Sequence, residues 1–357
     1  MYSLYSWGSP FEELGIYSFD PACVSVQAYM QLCKVEWKLH RTSNTAISPN
    51  NCLPAIVYNN THVESGFWRI VQFLKNEGFD LNSRLDSQQL SQSTAYISLI
   101  QDCLVDALLF SWYLVSENFA DAIRPRMAKS FGFPLSLIVP TQIKDYAEER
   151  LRYRGIKSEI ETTDSTPESA EVGSSGTDSR LQSLKSKIPR IYLLAKEGFR
   201  RHADKSAHPV YVQAAGCLDL LSKKLGDNSY FFGDTPSALD AVAYGYLSLI
   251  IRPDLPQNTL KDIVVTKYPN LAALCDRIHS QLEKPVFAKD ESWVQGIVSA
   301  VRHSVVDALP LFSQAHRSSK DEPGDPEMGE KTKSVVGALF VFFGYIIYNG
   351  VFSSSGK

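Results

Sequence analysis

A helix start carrying a nucleophile is the first place to look for chemistry, and Asp20-Pro21-Ala22-Cys23 supplies one. A thiol in the first turn of a helix can be activated, because the N-terminal dipole and nearby donors lower its pKa. Here the carboxylate of Asp20 stands at the cap and repels a thiolate, so Cys23 is expected to pack rather than to react. Tyr5 and Tyr17 are the other groups near that turn able to assist a thiol. The six cysteines, Cys23, Cys33, Cys52, Cys103, Cys217 and Cys275, are far apart, with no C-x-x-C pair and no clustered histidines. That spacing predicts reduced, mostly buried thiols, and neither a zinc site nor a disulfide framework. Ser237-Ala-Leu-Asp240 is an S-x-x-D capping box, whose reciprocal bonds serve folding. No G-x-S-x-G, P-loop, G-x-G-x-x-G or H-E-x-x-H motif occurs, so no catalytic residue and no metal ligand is assigned.

The elements that position these residues change character along the chain. Ser3 to Trp7 is a short apolar strand. In VEWKLH, Val35, Trp37 and Leu39 face one way and Glu36, Lys38 and His40 the other, the period-2 pattern of a second strand. Between them, Ala22, Val26, Tyr29, Met30 and Cys33 recur at helical spacing behind the Asp20-Pro21 start. Leu53 to Tyr58 is a third strand, Thr61 to Val63 a fourth, and Glu64 to Lys75 a helix. From about Leu90 the pattern is helical throughout: Ala95–Val115, Gln213–Leu225, Ser237–Ile251 and Leu271–Glu283, with no competing strand pattern. The order predicts an α+β chain of glutathione-transferase-like architecture. A thioredoxin-like domain over 1–80 is followed by an all-helical domain over 81–312.

Composition sets the rest. With 357 residues, 44% of them hydrophobic, the chain can bury a substantial core. A formal charge of -3 without a basic stripe excludes nucleic acid as an expected partner. The stretch around ETTDSTPESAEVGSSGTDSR is too polar to offset its ordering entropy, which predicts a disordered insertion over 158–182 and, by similar composition, a flexible tether over 313–334. Residues 335–352, VVGALFVFFGYIIYNGVF, are uncharged and flanked by Lys331, Lys333 and Lys357. As a helix this run reaches ~27 Å, enough to cross a hydrocarbon core of ~30 Å. A transmembrane tail anchor is therefore expected, running from Val335 through Phe343 to Phe352, with the bulk of the chain in the cytosol.

Against that architecture, Leu53-Pro54-Ala55 falls where thioredoxin-like domains carry a cis-proline. Glu64-Ser65 falls where transferases hold the γ-glutamyl carboxylate of glutathione with helix N–H groups and a hydroxyl. Each also serves the scaffold alone, since the proline preserves the turn and an acid favours the helix dipole. Pro54, Glu64 and Ser65 are accordingly read as relics of a glutathione site, with no cofactor and no required small-molecule ligand.

The segment from Cys23 to Leu74, with SPNNCLPAIV at Ser48 to Val57, resembles the amino-terminal half of metaxins. The likeness continues through Phe110-Ser-Trp112, Asn118-Phe119, Arg124 and FPLSLIVP, residues 133–140. Its most specific portion is CLDLLSKKLG from Cys217 to Gly226, followed by YFFGDTPSALDA from Tyr230 to Ala241. This resemblance implies a non-catalytic subunit of the sorting and assembly (SAM) complex of the mitochondrial outer membrane, assisting import and insertion of β-barrel precursors. Its partners would be a β-barrel core subunit and a second metaxin-like subunit. Metaxins are also linked to inner-membrane organisation complexes. Two alternatives are a tail-anchored glutathione-dependent transferase and a mitochondrial or peroxisomal adaptor with a transferase-like body. Asp20 in the activating turn favours the first reading over the enzyme.

Overall fold

Alternation of buried and exposed side chains builds the amino-terminal sheet. In β1 (Tyr2–Ser6), Tyr2, Leu4 and Ser6 are buried while Ser3 and Tyr5 are partly exposed. A single helix, α1 (Pro21–Leu32), crosses over to β2 (Trp37–Arg41), which therefore lies parallel to β1, with Leu4 opposite Leu39. β3 (Ala55–Tyr58) pairs antiparallel with β1, and β4 (His62–Ser65) antiparallel with β3. After β4, Gly66 caps α2 (Phe67–Asn76) at φ 81°, a left-handed conformation that favours glycine. This corrects the expected start of that helix: Glu64 and Ser65 are the last residues of β4, where Ser65 sits opposite Ala55 in the ladder.

The structure, a computed structural model, describes residues 2–59, 62–130, 135–156 and 208–288, all within the compact unit Met1–Ile297. The expected insertion at 158–182, the tether at 313–334 and the anchor residues Val335, Phe343 and Phe352 lie outside the described residues.

Helices make up most of the remainder. α3 (Ser87–Leu109) is opened by a capping box between Asp86 and Gln89, and it runs into a π-helical turn at Phe110–Leu114. A second π turn, Asn118–Ile123, leads into α4 (Arg124–Ser130), and α5 (Leu135–Tyr153) carries Pro140 inside its first two turns. Then follow α6 (Pro209–Leu225), α7 (Ala238–Ile251), α8 (Thr259–Lys267) and α9 (Pro269–Gln281). The stretch Ser87–Leu114 is long and apolar enough to span a membrane, but most of its apolar part is buried inside the protein, as befits a core helix. α7 is apolar all round and buried from Ala238 to Ile250, the pattern of a helix enclosed on every side. Residues of the sheet layer and of the helical layer belong to one hydrophobic cluster, in which Leu4, Tyr29 and Met30 join Trp112, Leu239 and Tyr244.

A fifth strand departs from the all-helical expectation for the second half. β5 (Val286–Phe287) returns after α9 and pairs parallel with β2, giving the sheet order β4-β3-β1-β2-β5. The side-chain amide of Gln31 holds this return on both sides. Its Nε2 donates to the Glu283 carbonyl at 2.9 Å, and its Oε1 accepts from the Glu283 N–H at 2.7 Å. Beyond it, the Ala288 N–H donates to the Leu39 carbonyl at 2.9 Å. β2 thereby loses its open edge to a segment of its own chain.

Candidate functional site

The place where a transferase-like fold would activate a thiol lies between the start of α1 and the start of β3. Asp20 caps α1 as the sequence predicts, its Oδ1 accepting from the Ala22 N–H at 3.1 Å, with Pro21 as the first helical residue. The Leu53-Pro54 peptide is cis, and the Pro54 carbonyl accepts from the Gly66 N–H at 2.9 Å. Cys23, Leu53 and Ala55 are buried together and packed against Tyr5 and Trp7, so side chains of the protein itself fill the space between these two elements.

Electrostatics at this turn work against a thiolate. Burial pushes the Cys23 thiol well above its ordinary range, and the Asp20 charge pushes it further. Asp20 is itself raised by burial, although the Ala22 and Cys23 N–H groups favour its charged form. The Tyr17 hydroxyl is raised by burial and then by Glu12, and its ring meets the edge of Phe287 with centroids 5.8 Å apart. The Tyr5 ring stacks on His40 with centroids 4.4 Å apart. Cys23 and Tyr17 are thus shifted away from the charged nucleophile that glutathione chemistry uses.

The residues read as glutathione-site relics are close to that turn but otherwise engaged. Ser65 is buried, and its Oγ accepts from Asn50 Nδ2 at 3.4 Å and from Cys52 Sγ at 3.7 Å. Glu64 Oε1 lies 3.4 Å from His62 Nε2, on the strand rather than over a helix N-terminus. A cavity of about 50 Å³, room for one or two waters, lies farther along α1 among Tyr17, Gln27, Gln31, Tyr244, His279 and Glu283. Cys23, Pro54, Glu64 and Ser65 do not line it. Among the described residues no three His, Cys, Asp or Glu side chains cluster in a way that could hold a metal ion.

At the opposite end of the polypeptide logic stands the Ser237–Asp240 box. Asp240 is fully buried; its Oδ2 accepts from the Ser237 N–H at 2.8 Å and from Ser237 Oγ at 2.6 Å. Its Oδ1 accepts from the Phe231 N–H at 3.0 Å, which ties the Tyr230–Gly233 turn to the start of α7. Burial raises its carboxyl to about 6 despite those three bonds. The Phe231 contact was not legible in the S-x-x-D pattern, which specifies only the two reciprocal arms. Nor was the Gln31–Glu283 clamp, because a polar residue near a helix end carries no mark of a partner 252 positions away.

Residues 23–144 match the family model of Tom37, outer mitochondrial membrane transport complex protein, and residues 214–278 match that of the glutathione S-transferase C-terminal domain. Metaxin-1 of Mus musculus is 23% identical over 350 residues, covering 98% of this chain and 90% of that protein. Metaxin-1 of Homo sapiens is 27% identical over 277 residues, 78% of this chain but only 50% of that relative. Metaxin-2 of Mus musculus is 25% identical over 283 residues, 79% of this chain and 87% of that protein. A solved glutathione S-transferase of Ceriporiopsis subvermispora, in complex with glutathione, is 13% identical over 80% of this chain and 98% of that one, with a TM-score of 0.45. That score adds nothing to the strand order already described. Metaxins matching 78% to 98% of the chain, a transport-complex model over residues 23–144 and a transferase model over residues 214–278 agree: the chain is similar to the metaxins and has a glutathione-transferase-like fold.

Proposed function

We propose that this chain is a non-catalytic subunit of the sorting and assembly complex of the mitochondrial outer membrane and assists insertion of β-barrel precursors. The observation that carries the proposal is the match of residues 23–144 to the outer mitochondrial membrane transport complex family. The buried, Asp20-flanked Cys23 supports its non-catalytic side, since a neutral thiol in a filled site has neither the charge nor the access to attack an electrophile. Pro54, Glu64 and Ser65 are then scaffold residues, and Ser237 and Asp240 serve folding. The run 335–352 anchors the chain in the outer membrane with its body in the cytosol, where it meets a β-barrel core subunit and a second metaxin-like subunit.

Depleting the chain from cells should lower the steady-state amount of outer-membrane β-barrels while presequence-bearing matrix proteins are still imported. Unchanged β-barrel levels, with the tagged chain bringing down no barrel subunit from mildly solubilised mitochondria, would sink the proposal. Deleting residues 334–357 should release the chain to the cytosol; membrane association that survives alkaline extraction after the deletion would refute the anchor. The rival reading, a tail-anchored glutathione-dependent transferase, draws on the match of residues 214–278 to the glutathione S-transferase C-terminal domain. It requires turnover of a general electrophile with glutathione that disappears on Tyr5→Phe, Tyr17→Phe or Cys23→Ala.

A further inference from the structure

Two of the six cysteines meet in the core between α3 and α6. Leu99 and Cys103 stand one turn apart on α3, and Gln213 and Cys217 one turn apart on α6, so the two pairs face each other across the helix contact. The contacts cross: Gln213 Nε2 donates to Cys103 Sγ at 3.8 Å, and Cys217 Sγ donates to the Leu99 carbonyl at 4.0 Å. In a helix the Leu99 carbonyl is the one that the Cys103 N–H meets, so Cys217 Sγ stands against the turn that carries Cys103. Between Gln213 and Cys217 lie Ala214, Ala215 and Gly216, all buried and too small to hold the helices apart. Two cysteines on facing helices, each set against the turn that carries the other, are placed so that little backbone movement would close a disulfide.

The pair divides into two roles. Cys103 is lowered from the ordinary thiol value by the hydrogen bond from Cys217, with Gln213 and Arg154 adding to the effect. Cys217 is raised well above it, by that same bond and by burial. A sulfur with thiolate character beside a second, protonated sulfur is the arrangement of an attacking and a resolving thiol. Cys23, Cys33 and Cys275 lack such a sulfur neighbour: burial raises Cys23, and it raises the partly buried Cys33 and the buried Cys275 to about 12.

We propose that Cys103 and Cys217 form a dithiol that hydrogen peroxide oxidises to a disulfide clamping α3 to α6. The Cys103 thiolate attacks one peroxide oxygen and the O–O bond breaks, giving a sulfenic acid and a hydroxide that is protonated to water. The Cys217 sulfur then attacks the sulfenic sulfur. The S–S bond forms as the S–O bond breaks, and the departing hydroxide takes the Cys217 proton as a second water. Two thiols lose two electrons in all, and one peroxide is reduced to two waters. Peroxide is small enough to reach Cys103, which is 7% exposed.

The full-length native chain would be titrated with hydrogen peroxide, its free thiols blocked with N-ethylmaleimide, and its unreduced peptides mapped by mass spectrometry. A peptide linking Cys103 to Cys217 should accumulate with dose, vanish on treatment with dithiothreitol, and be absent from Cys103→Ser and Cys217→Ser. The wild-type map stands alone should either variant fold poorly. Recovery of both sulfurs as free thiols at a dose that oxidises half of Cys52, or a link that forms only in denaturant, would overturn the proposal.

Discussion

Replacing Gly245 with alanine tests a close approach between α7 and α1. Gly245 lies on α7 against the first turn of α1. A Cβ there would stand 2.1 Å from Ser25 Oγ, 2.7 Å from the Pro21 carbonyl oxygen and 2.9 Å from the Ser25 nitrogen. The hydroxyl can swing away at the expense of its 2.7 Å bond to the Pro21 carbonyl, worth ~1 kcal/mol. The backbone atoms cannot swing. Bringing 2.7 Å out to the 3.4 Å of ordinary contact requires a displacement of about 0.7 Å between two helices that share a filled core. Overpacking of this kind costs ~3 kcal/mol at the upper end of its usual range. Alanine returns ~1 kcal/mol through helix propensity, so the net loss is ~2 to 3 kcal/mol. That should lower the melting temperature by roughly 5 to 10 °C in a circular-dichroism melt of the full chain. Adding Ser25→Ala removes only the hydroxyl contact and should recover no more than ~1 kcal/mol, because the Pro21 oxygen remains. A Gly245→Ala protein as stable as the wild type would refute the close approach, and with it the packing that buries the start of α1.

Asp240 should make stability pH-dependent. Its folded value of about 6 is raised above the unfolded carboxyl, so its contribution is complete below about pH 4 and lost as pH rises through about 6. The difference in unfolding free energy between wild type and Asp240→Asn should therefore drift by ~2 kcal/mol against the wild type between pH 4 and 7; a flat difference would refute the shift. Asp240→Ala at pH 7 strips the Phe231 and Ser237 N–H groups of their acceptor and should cost ~2 kcal/mol or more in a urea titration. Asp106→Ala should destabilise by ~2 kcal/mol in the same titration. Its buried carboxylate joins α3 to Arg150 at 2.7 Å and to Arg154 at 3.1 Å, and solvent screens the partly exposed guanidiniums left behind. Gln31→Ala should speed amide hydrogen exchange at Glu283 and Ala288 while leaving Leu4 protected, since only the clamp on β5 is lost.

Legibility in the sequence tracked how locally each feature is encoded. The Asp20-Pro21 start of α1 and the Trp37, Leu39 face of β2 are set by neighbours within a few residues, and both are readable. β5 was not, because two residues cannot display a period of two; its strand character comes from β2, which offers an unpaired edge. The boundary at Glu64-Ser65 was placed too early for a related reason. An acid followed by a serine suits a helix start, but the β3 ladder claims both residues and hands the cap to Gly66. α5 was obscured by Pro140, which breaks the apolar spacing although early placement limits the hydrogen bonds it removes. Gly245 carried no signal at all, since a glycine inside an apolar helix reads as a weakness until the atoms of Ser25 and Pro21 are seen against it.

The filled site follows from how one helix end can be used. The N-terminus of α1 presents a limited set of unpaired N–H groups and a positive dipole end, and these favour a single anion placed against them. A transferase leaves that position to a thiolate. Here Asp20 occupies it from within the chain, bonding to the Ala22 N–H and setting a negative charge beside Cys23. Once the carboxylate is there, a second anion is disfavoured both by repulsion and by the lack of free donors, so a neutral thiol packs more favourably than a charged one. Cys23 accordingly turns into contact with Leu53 and Ala55, and the Cys23 side chain becomes part of what joins α1 to β3. Asp20→Ser would reverse the first step, keeping a cap while removing the charge. It should lower the Cys23 pKa, read as faster alkylation by iodoacetamide, yet leave alkylation slow because burial, the larger cause of the shift, persists. Alkylation of Asp20→Ser as fast as that of an exposed thiol would show that charge alone had kept Cys23 inert, and that the space around it is open to a ligand.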